Sequence, residues 1–530
     1  MSRQRNHACR PANARRIAGV AFRQLAIKSR LQSPGVPSLH TFPRQRWLSL
    51  VALGLGLASP ITLLAEPWIS PGDVRLRHDL QQLSDQGLLT GPTMSWPIGW
   101  SQVARELSAI ELDKLPPGRR AAVERLLARA AREMRTGDIG LTASVGAAAE
   151  PNQLRTFEST PREEGEAKVA ADWLGARFAW KLQATAVADA DDGQTWRPDG
   201  SYVGASLGNW MVSAGYLERW WGPGWEGSLI LSNNARPLPS IALDRNEPTP
   251  FDVPVLRWLG PWRLSTFMGQ FEEDRDYSNA LLWGLRVEIR PHPTLQIAAS
   301  RTAQWCGDGR PCDLDTFWDL LVGNDNDQDL SEQPGNQLGG FDVRWSWPGG
   351  RVPLALYAQG IGEDEAGFMP SKYLGLFGAE MWGELGGGSW RAHVEYADTA
   401  CDFLSDPPDF GCAYTNVIYT TGYRYRGRVL GHAMDADGES VGVGALWVDA
   451  AGRRWELLGR NVKVNRAGAA SGHSLADAPA KARELNLIHE RPHTWGNMMF
   501  SVGYADTEPA GGTTLQDGVR GYVTWTYEFD

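Results

Sequence analysis

From residue 137 to the end of the chain, apolar and polar positions alternate one by one. In 281–290, Leu281, Trp283, Leu285, Val287 and Ile289 are apolar, while Arg286, Glu288 and Arg290 on the other parity are charged. Trp390, Ala392, Val394 and Tyr396 alternate with Arg391, His393 and Glu395, and Phe178, Trp180 and Leu182 with Lys181 and Gln183. Successive side chains of a strand point to opposite faces, so the pattern predicts strands with one apolar and one polar face. Soluble sandwiches and membrane barrels share that alternation. Aromatics at strand ends favour the barrel: Trp345 with Trp347, Tyr423 with Tyr425 and Trp525 with Tyr527 fit the two girdles of an outer-membrane wall. At about 9–11 residues per membrane strand, plus turns and long outer loops, the segment has room for roughly 16 to 18 strands.

The pattern before residue 137 is helical. Val74, Leu76, Leu80, Leu83, Leu88 and Leu89 are followed by Val103, Leu107, Ile110 and Leu112, then by Val123, Leu126, Leu127, Ala130 and Ala131. Spacings of three and four predict three amphipathic helices, broken at 91–93 (GPT) and at Pro116-Pro117. Earlier still, residues 1–65 hold nine Arg, one Lys and no acid, and 47–64 is almost wholly apolar. A basic region, an apolar core and Ala65 before Glu66 read as a secretory leader cleaved near Ala65. A transit peptide, a start near Arg44 and a retained anchor are the competing readings. The division expected is therefore a leader over 1–65, a helical bundle over 66–136 and a barrel over 137–530.

Composition narrows the function. The full chain carries a net charge of −10, and removing ten leader cations and no anions leaves −20. Phosphate binding needs a basic footprint, so nucleic acid is excluded as a partner. No later run of eighteen apolar residues exists, so a membrane form must be a closed barrel. Apart from Cys9, the cysteines form two local couples, Cys306 with Cys312 and Cys401 with Cys412, each bracketing Gly, Pro and Asp. In an exported protein an even number suggests two loop-stapling disulfides, with zinc as the lesser reading.

No standard catalytic phrase stands in a working context. The chain has no P-loop, and HERPH at 489–493, which carries the letters of HExxH, reads as a polar strand-edge or loop segment with Pro492 inside it, where two histidines do not share a helix face. The carboxylates Glu272, Glu273, Asp189, Asp191 and Asp192 sit in loop-like surroundings rather than opposed across a cleft. The run GNDNDQD at 323–329 imitates part of a calcium loop without its Gly and Glu. No enzyme activity, cofactor or resident metal is expected.

The segment 218–275 remains. It sets Trp220, Trp221, Trp225, Trp258 and Trp262 among glycines, prolines and asparagines, and neither period runs through its middle. As a site, Trp220, Trp221 and Trp225, with Trp258, offer faces on which sugar rings stack; Arg219, Asn233, Asn234 and Arg236 offer donors to hydroxyls or carboxylates. As a plug, the tryptophans are the segment's own miniature core, and both roles are compatible. The phrases RWWGPGWEGSLILSNNARP at 219–237 and RWLGPWRLSTFMGQFE at 257–272 closely resemble the Wzi family of capsule-assembly outer-membrane proteins. The resemblance implies an all-β transmembrane barrel of eighteen antiparallel strands, with a small periplasmic α-helical bundle packed against its mouth. It also implies a non-catalytic, lectin-like protein that attaches capsular or exopolysaccharide to the cell surface. The alternative is a porin-like channel for saccharides or other solutes. Outer-membrane lipid and the barrel-insertion machinery are the other partners expected. The last strand, VRGYVTWTYEFD, resembles the insertion signal, although Asp530 places its aromatic second from last.

Overall fold

The polar face of each strand points inward. In Leu281–His292, Arg286, Glu288 and Arg290 are buried, while Leu281, Trp283, Leu285, Val287 and Ile289 are half-exposed on the outside. In Gly388–Asp398, Arg391, His393 and Glu395 are likewise buried and Val394 is exposed. A water-soluble sandwich has the opposite polarity, so the outer surface is made for lipid and the lumen for polar contacts. The structure is a computed structural model and describes residues 68–529, except 323–334, 351, 367–368, 469–471 and 510–511. The expected leader and the acidic run at 323–329 lie outside the described residues.

Eighteen antiparallel strands make the wall, with Trp196–Arg197 as an extra two-residue piece beside Phe178–Ala188. The first, Ile139–Ala148, pairs with the last, Gly518–Phe529, from Tyr522 opposite Ala148 to Phe529 opposite Leu141. Closure leaves no unpaired edge, which is what allows strands to cross a bilayer. Among the described residues no helix is long and apolar enough to cross a membrane.

The helical region holds α1 (Val74–Asp85), α2 (Trp100–Ser108) and α3 (Pro117–Glu133). Asp73 caps α1 by accepting from the Leu76 amide at 2.8 Å, and Pro117 begins α3, where a missing N–H costs nothing. α3 sits on the turn at 386–387. A Cβ at Gly118 would lie 2.7 Å from the Gly388 carbonyl oxygen, so only glycine lets the helix approach so closely. α1 goes further than packing against the mouth. Arg77, His78, Asp79, Gln81, Gln82, Ser84 and Asp85 are all buried, because the helix contacts lumen side chains. Asp85 meets Arg344 at 2.5 Å and Arg391 at 3.1 Å, and Ser84 Oγ accepts from Arg290 at 2.9 Å.

The barrel ends differ. Most strands join by short turns at the helical end, as at 175–177, 208–209, 293–294, 386–387 and 494–495, while 246–261 at that end is longer. Long connections, including 149–164, 216–239 and 399–438, lie at the far end. Outer-membrane barrels carry short turns at one end and long loops at the other, and the helices lie at the short-turn end. Trp345, Trp347, Trp447, Trp455 and Trp525 face outward near this end as one girdle. Tyr423 and Tyr425 correct the reading from strand ends: both are buried in the 399–438 connection, where turn-forming residues flank a short hairpin.

The described cysteines are bridged as Cys306–Cys312 and Cys401–Cys412, six and eleven residues apart. Each closure removes unfolded-state freedom worth about 2–3 kcal/mol in the chain-entropy account. Alkylation of the folded protein without reductant should label none of these four thiols, and labelling of all four would refute the bridges. Val443, 54% exposed on the outer wall, tests the pleat. Val443→Arg should cost about 2–4 kcal/mol in denaturant titrations of vesicle-folded protein, and an unchanged midpoint would contradict a lipid-facing position.

Candidate functional site

The connection at 216–239 turns back into the lumen because its backbone finds partners there. Trp220–Trp221 pairs with Ser95–Trp96, which lies between α1 and α2, so a chain from the far end meets one from the helical end inside the barrel. Beyond this ribbon the backbone amides of Trp225, Glu226 and Gly227 donate to the Glu395 carboxylate at 2.8, 3.2 and 3.0 Å. Tyr357 donates to the same carboxylate at 2.8 Å. Gln359 accepts from the Leu229 amide at 2.7 Å and donates to the Trp221 carbonyl at 2.8 Å. From α1, Arg77 donates to the carbonyls of Gly224 at 2.8 Å and Pro223 at 2.7 Å. The WGPGWEG spacing thus turns the backbone polar groups toward the wall, as buried N–H and C=O groups require. Gly227 is needed for contact, since a Cβ there would lie 2.1 Å from the His432 ring.

The tryptophans of this segment are buried. Trp220 meets Phe157 edge-on at 5.2 Å, and Trp221 meets Phe267 edge-on at 5.6 Å. Trp225 stacks on His393 at 5.7 Å, carries the Arg77 guanidinium 4.1 Å from its ring centre and donates Nε1–H to Glu380 at 3.0 Å. The polar candidates beside them are also engaged within the chain. Arg219 lies over the Phe267 ring at 4.4 Å, Asn233 donates to the Phe157 carbonyl at 2.9 Å, and Asn234 donates to the Val429 carbonyl at 2.9 Å. Arg236 forms a fork on Asp199 at 2.7 and 2.8 Å and reaches Asp192 at 2.6 Å. Trp258 does not join them. It is 65% exposed on the turn at 246–261, at the helical end, where Arg105 pairs with Glu247.

Several residues of the site gave no sequence signal. Arg77 and Asp85 sit on a helix whose apolar spacing reads as ordinary, and Phe157 lies in a stretch without periodicity. Glu380, Glu395, Arg344 and Arg391 belong to polar strand faces, but alternation does not say which face points inward. The inward charges are matched: Arg344 reaches Glu380 at 2.5 Å, Arg391 reaches Glu380 at 2.5 Å, and Arg286 pairs with Asp342. Burial lowers Arg77 to about 10, so it remains a cation at neutral pH. Burial, aided by Arg460, lowers His432 to about 3 and keeps that ring neutral.

Two cavities between plug and wall, one by Asn246 and Arg263 and one by Asn152 and Arg520, have volumes of about 20 Å³ each. Each is the size of a single water. Among the described residues no His, Cys, Asp and Glu cluster has a metal-binding arrangement. In HERPH, His489 bonds to the Arg454 carbonyl at 2.9 Å and lies against Trp455, while His493 stacks on Trp495 at 4.5 Å. These are contacts of the wall and its rim.

Comparison with known proteins agrees with this architecture. The sequence profile of the family described as "Capsule assembly protein Wzi" matches residues 136–507. A Klebsiella pneumoniae protein described as an uncharacterised 55.8 kDa protein in the cps region is 30% identical over 365 residues, covering 66% of this chain and 69% of its own. A solved structure titled as Wzi, an outer-membrane protein involved in group 1 capsule assembly in Escherichia coli and a carbohydrate-binding β-barrel, superposes with a TM-score of 0.78 at 26% identity. It covers 88% of this chain and all of its own. With the profile spanning most of the chain and the closed barrel shared, this protein belongs to the Wzi family of capsule-assembly proteins of the outer membrane.

Proposed function

We propose that this protein holds capsular or exopolysaccharide on the outside of the cell and catalyses no reaction. The observation that carries this reading is the filled lumen: α1 and the Ser95–Trp96 strand after it enter from one end and the 216–239 connection from the other, meeting through Arg77 and through the pairing of Ser95–Trp96 with Trp220–Trp221. A barrel so filled offers its far-end connections, rather than its bore, to a polymer. The Escherichia coli relative, whose title calls it carbohydrate-binding, supports the same ligand class. In this reading residues 66–136 are the periplasmic part and 137–530 the barrel. Outer-membrane lipid and the barrel-insertion machinery serve as its other partners. Trp220, Trp221 and Trp225, with Arg219, Asn233, Asn234 and Arg236, act on the polymer through the plug, by fixing the loops above it.

The channel alternative makes a different electrical prediction. The wild-type barrel in planar bilayers should be nearly closed, because the plug amides are held by Glu395 and Gln359. Glu395→Ala frees three amides and the Tyr357 hydroxyl, contacts to a charged group worth about 1.5–3 kcal/mol each before compensation. This variant should conduct measurably more than the wild type while still folding. Steady high conductance of the wild type would favour the channel.

Attachment is tested in cells. Deleting the gene should leave total polysaccharide similar but move it from the surface to the medium. Replacing Trp220, Trp221 and Trp225 together with Ala should imitate the deletion, with heat-modifiability on gels reporting whether the barrel still forms. A deletion strain that keeps its full surface polysaccharide would overturn the proposal.

A further inference from the structure

One short helix lies on the wrong side of the wall to serve the lumen. α4 (Leu314–Val322) follows the Cys306–Cys312 bridge in the far-end connection after Leu295–Trp305. Asp313 starts it, accepting from the Thr316 amide and hydroxyl at 2.8 Å each. Its location follows from strand parity. On Leu295–Trp305, Thr302 and Gln304 face the lumen, where Gln304 donates to the Gly422 carbonyl at 3.0 Å. Arg301, Ala303 and Trp305 therefore face outward, and these residues carry the helix. Phe317 packs against Trp305 at 4.9 Å and edge-on against the outward Trp283 at 5.7 Å. Leu320 is fully buried in a cluster with Ala303 and Trp305. Arg301 donates to the last carbonyls of the helix, Leu320 at 2.9 Å and Leu321 at 3.0 Å, satisfying groups that a helix end leaves open.

The remaining surface of α4 divides into two sectors. Residues of a helix advance by about 100° each. Leu314 and Trp318 lie about 100° around from the Phe317 and Leu320 side, and are 65% and 63% exposed. Asp315 and Asp319 lie about another 100° beyond. The three sectors thus meet barrel wall, apolar surroundings and water in turn. Just below, the outer wall continues with exposed Phe341, whose neighbour Ala299 sits two residues from Arg301. The apolar face of α4 is therefore continuous with the lipid-facing band of the barrel.

We propose that α4 is an interfacial foot. It lies along the outer-leaflet boundary, inserts Leu314 and Trp318 among the acyl chains, and keeps Asp315 and Asp319 on the aqueous side. Indole suits this depth because one side of the ring is apolar and its N–H remains hydrated. The bridge and the Arg301 contacts hold the foot to the wall, so membrane contact on one flank fixes the height of residues 306–322. Exposed Trp318 also has a ring face that a sugar would fit, and the experiment separates that occupant from lipid.

The full-length protein is folded into phosphatidylcholine vesicles with and without bromine at shallow acyl positions. Trp318 emission is isolated as the difference between wild type and Trp318→Phe, with Trp318→Tyr as a second reference and heat-modifiability verifying each fold. The difference emission should be blue-shifted, quenched at least twofold by brominated lipid and little affected by aqueous iodide. Emission quenched by iodide but untouched by bromine would overturn the proposal. So would emission that responds to added polysaccharide and not to lipid.

Discussion

The structure depends on charge being matched inside a closed wall. Asp85 of α1 lies between Arg344 and Arg391, and Glu380 lies between the same two arginines. All four are buried, where each ion loses several kcal/mol of hydration unless a partner replaces it. Two strand arginines facing one strand carboxylate would leave this cluster with a net positive charge, and Asp85 balances it. The helix is therefore part of the barrel's electrostatics, and its position in the mouth follows from the strand sequence. The same rule operates one layer higher. Glu395 receives the amides of residues 225–227, so the far-end connection also enters where a buried wall charge needs donors.

This explains which parts of the molecule were legible in the sequence. The strands were, because period two survives in any environment with distinct faces: Leu281 to Ile289 alternates with Arg286, Glu288 and Arg290 whether the polar face meets water or lumen. The three helices were as well, since spacing and the Pro116-Pro117 break are local. The polarity of the wall was not local. It rested on aromatic placement, and there Trp345, Trp347 and Trp525 pointed correctly while Tyr423 and Tyr425 are buried in the 399–438 connection. An aromatic pair near turn-forming residues looks alike at a girdle and in a buried hairpin.

The candidate segment was legible as unusual, and less so as packing. Its tryptophans drew attention by their number, but the residues that bury them come from far along the chain: Arg77 from a helix, Phe157 from an aperiodic stretch and His393 from a strand. No local period connects such positions. Trp258 shows the converse limit, since its phrase carries the resemblance together with that of Trp220, yet it lies on a connection at the other end of the barrel. Resemblance of a phrase locates a fold and leaves the role of each residue to geometry.

In the proposed attachment, the surface open to a polymer follows by elimination on physical grounds. The outer wall is committed to lipid by its apolar parity, and the short turns and helices occupy the other end of the barrel. In the lumen, inward arginines and carboxylates pair with one another or with plug backbone, as Arg286 with Asp342 and Glu395 with residues 225–227 show. Among the described residues the far-end connections combine exposure with support from a rigid wall, and in one of them Leu404 and Val417 stand open while Tyr414 and Tyr419 are buried. A binding loop must present flexible-looking chemistry from a fixed position, and here the position is fixed twice, by the plug beneath and by disulfides within the connections. In the proposed attachment, rigidity below the loops would lower the ordering cost of holding a long chain by several weak contacts.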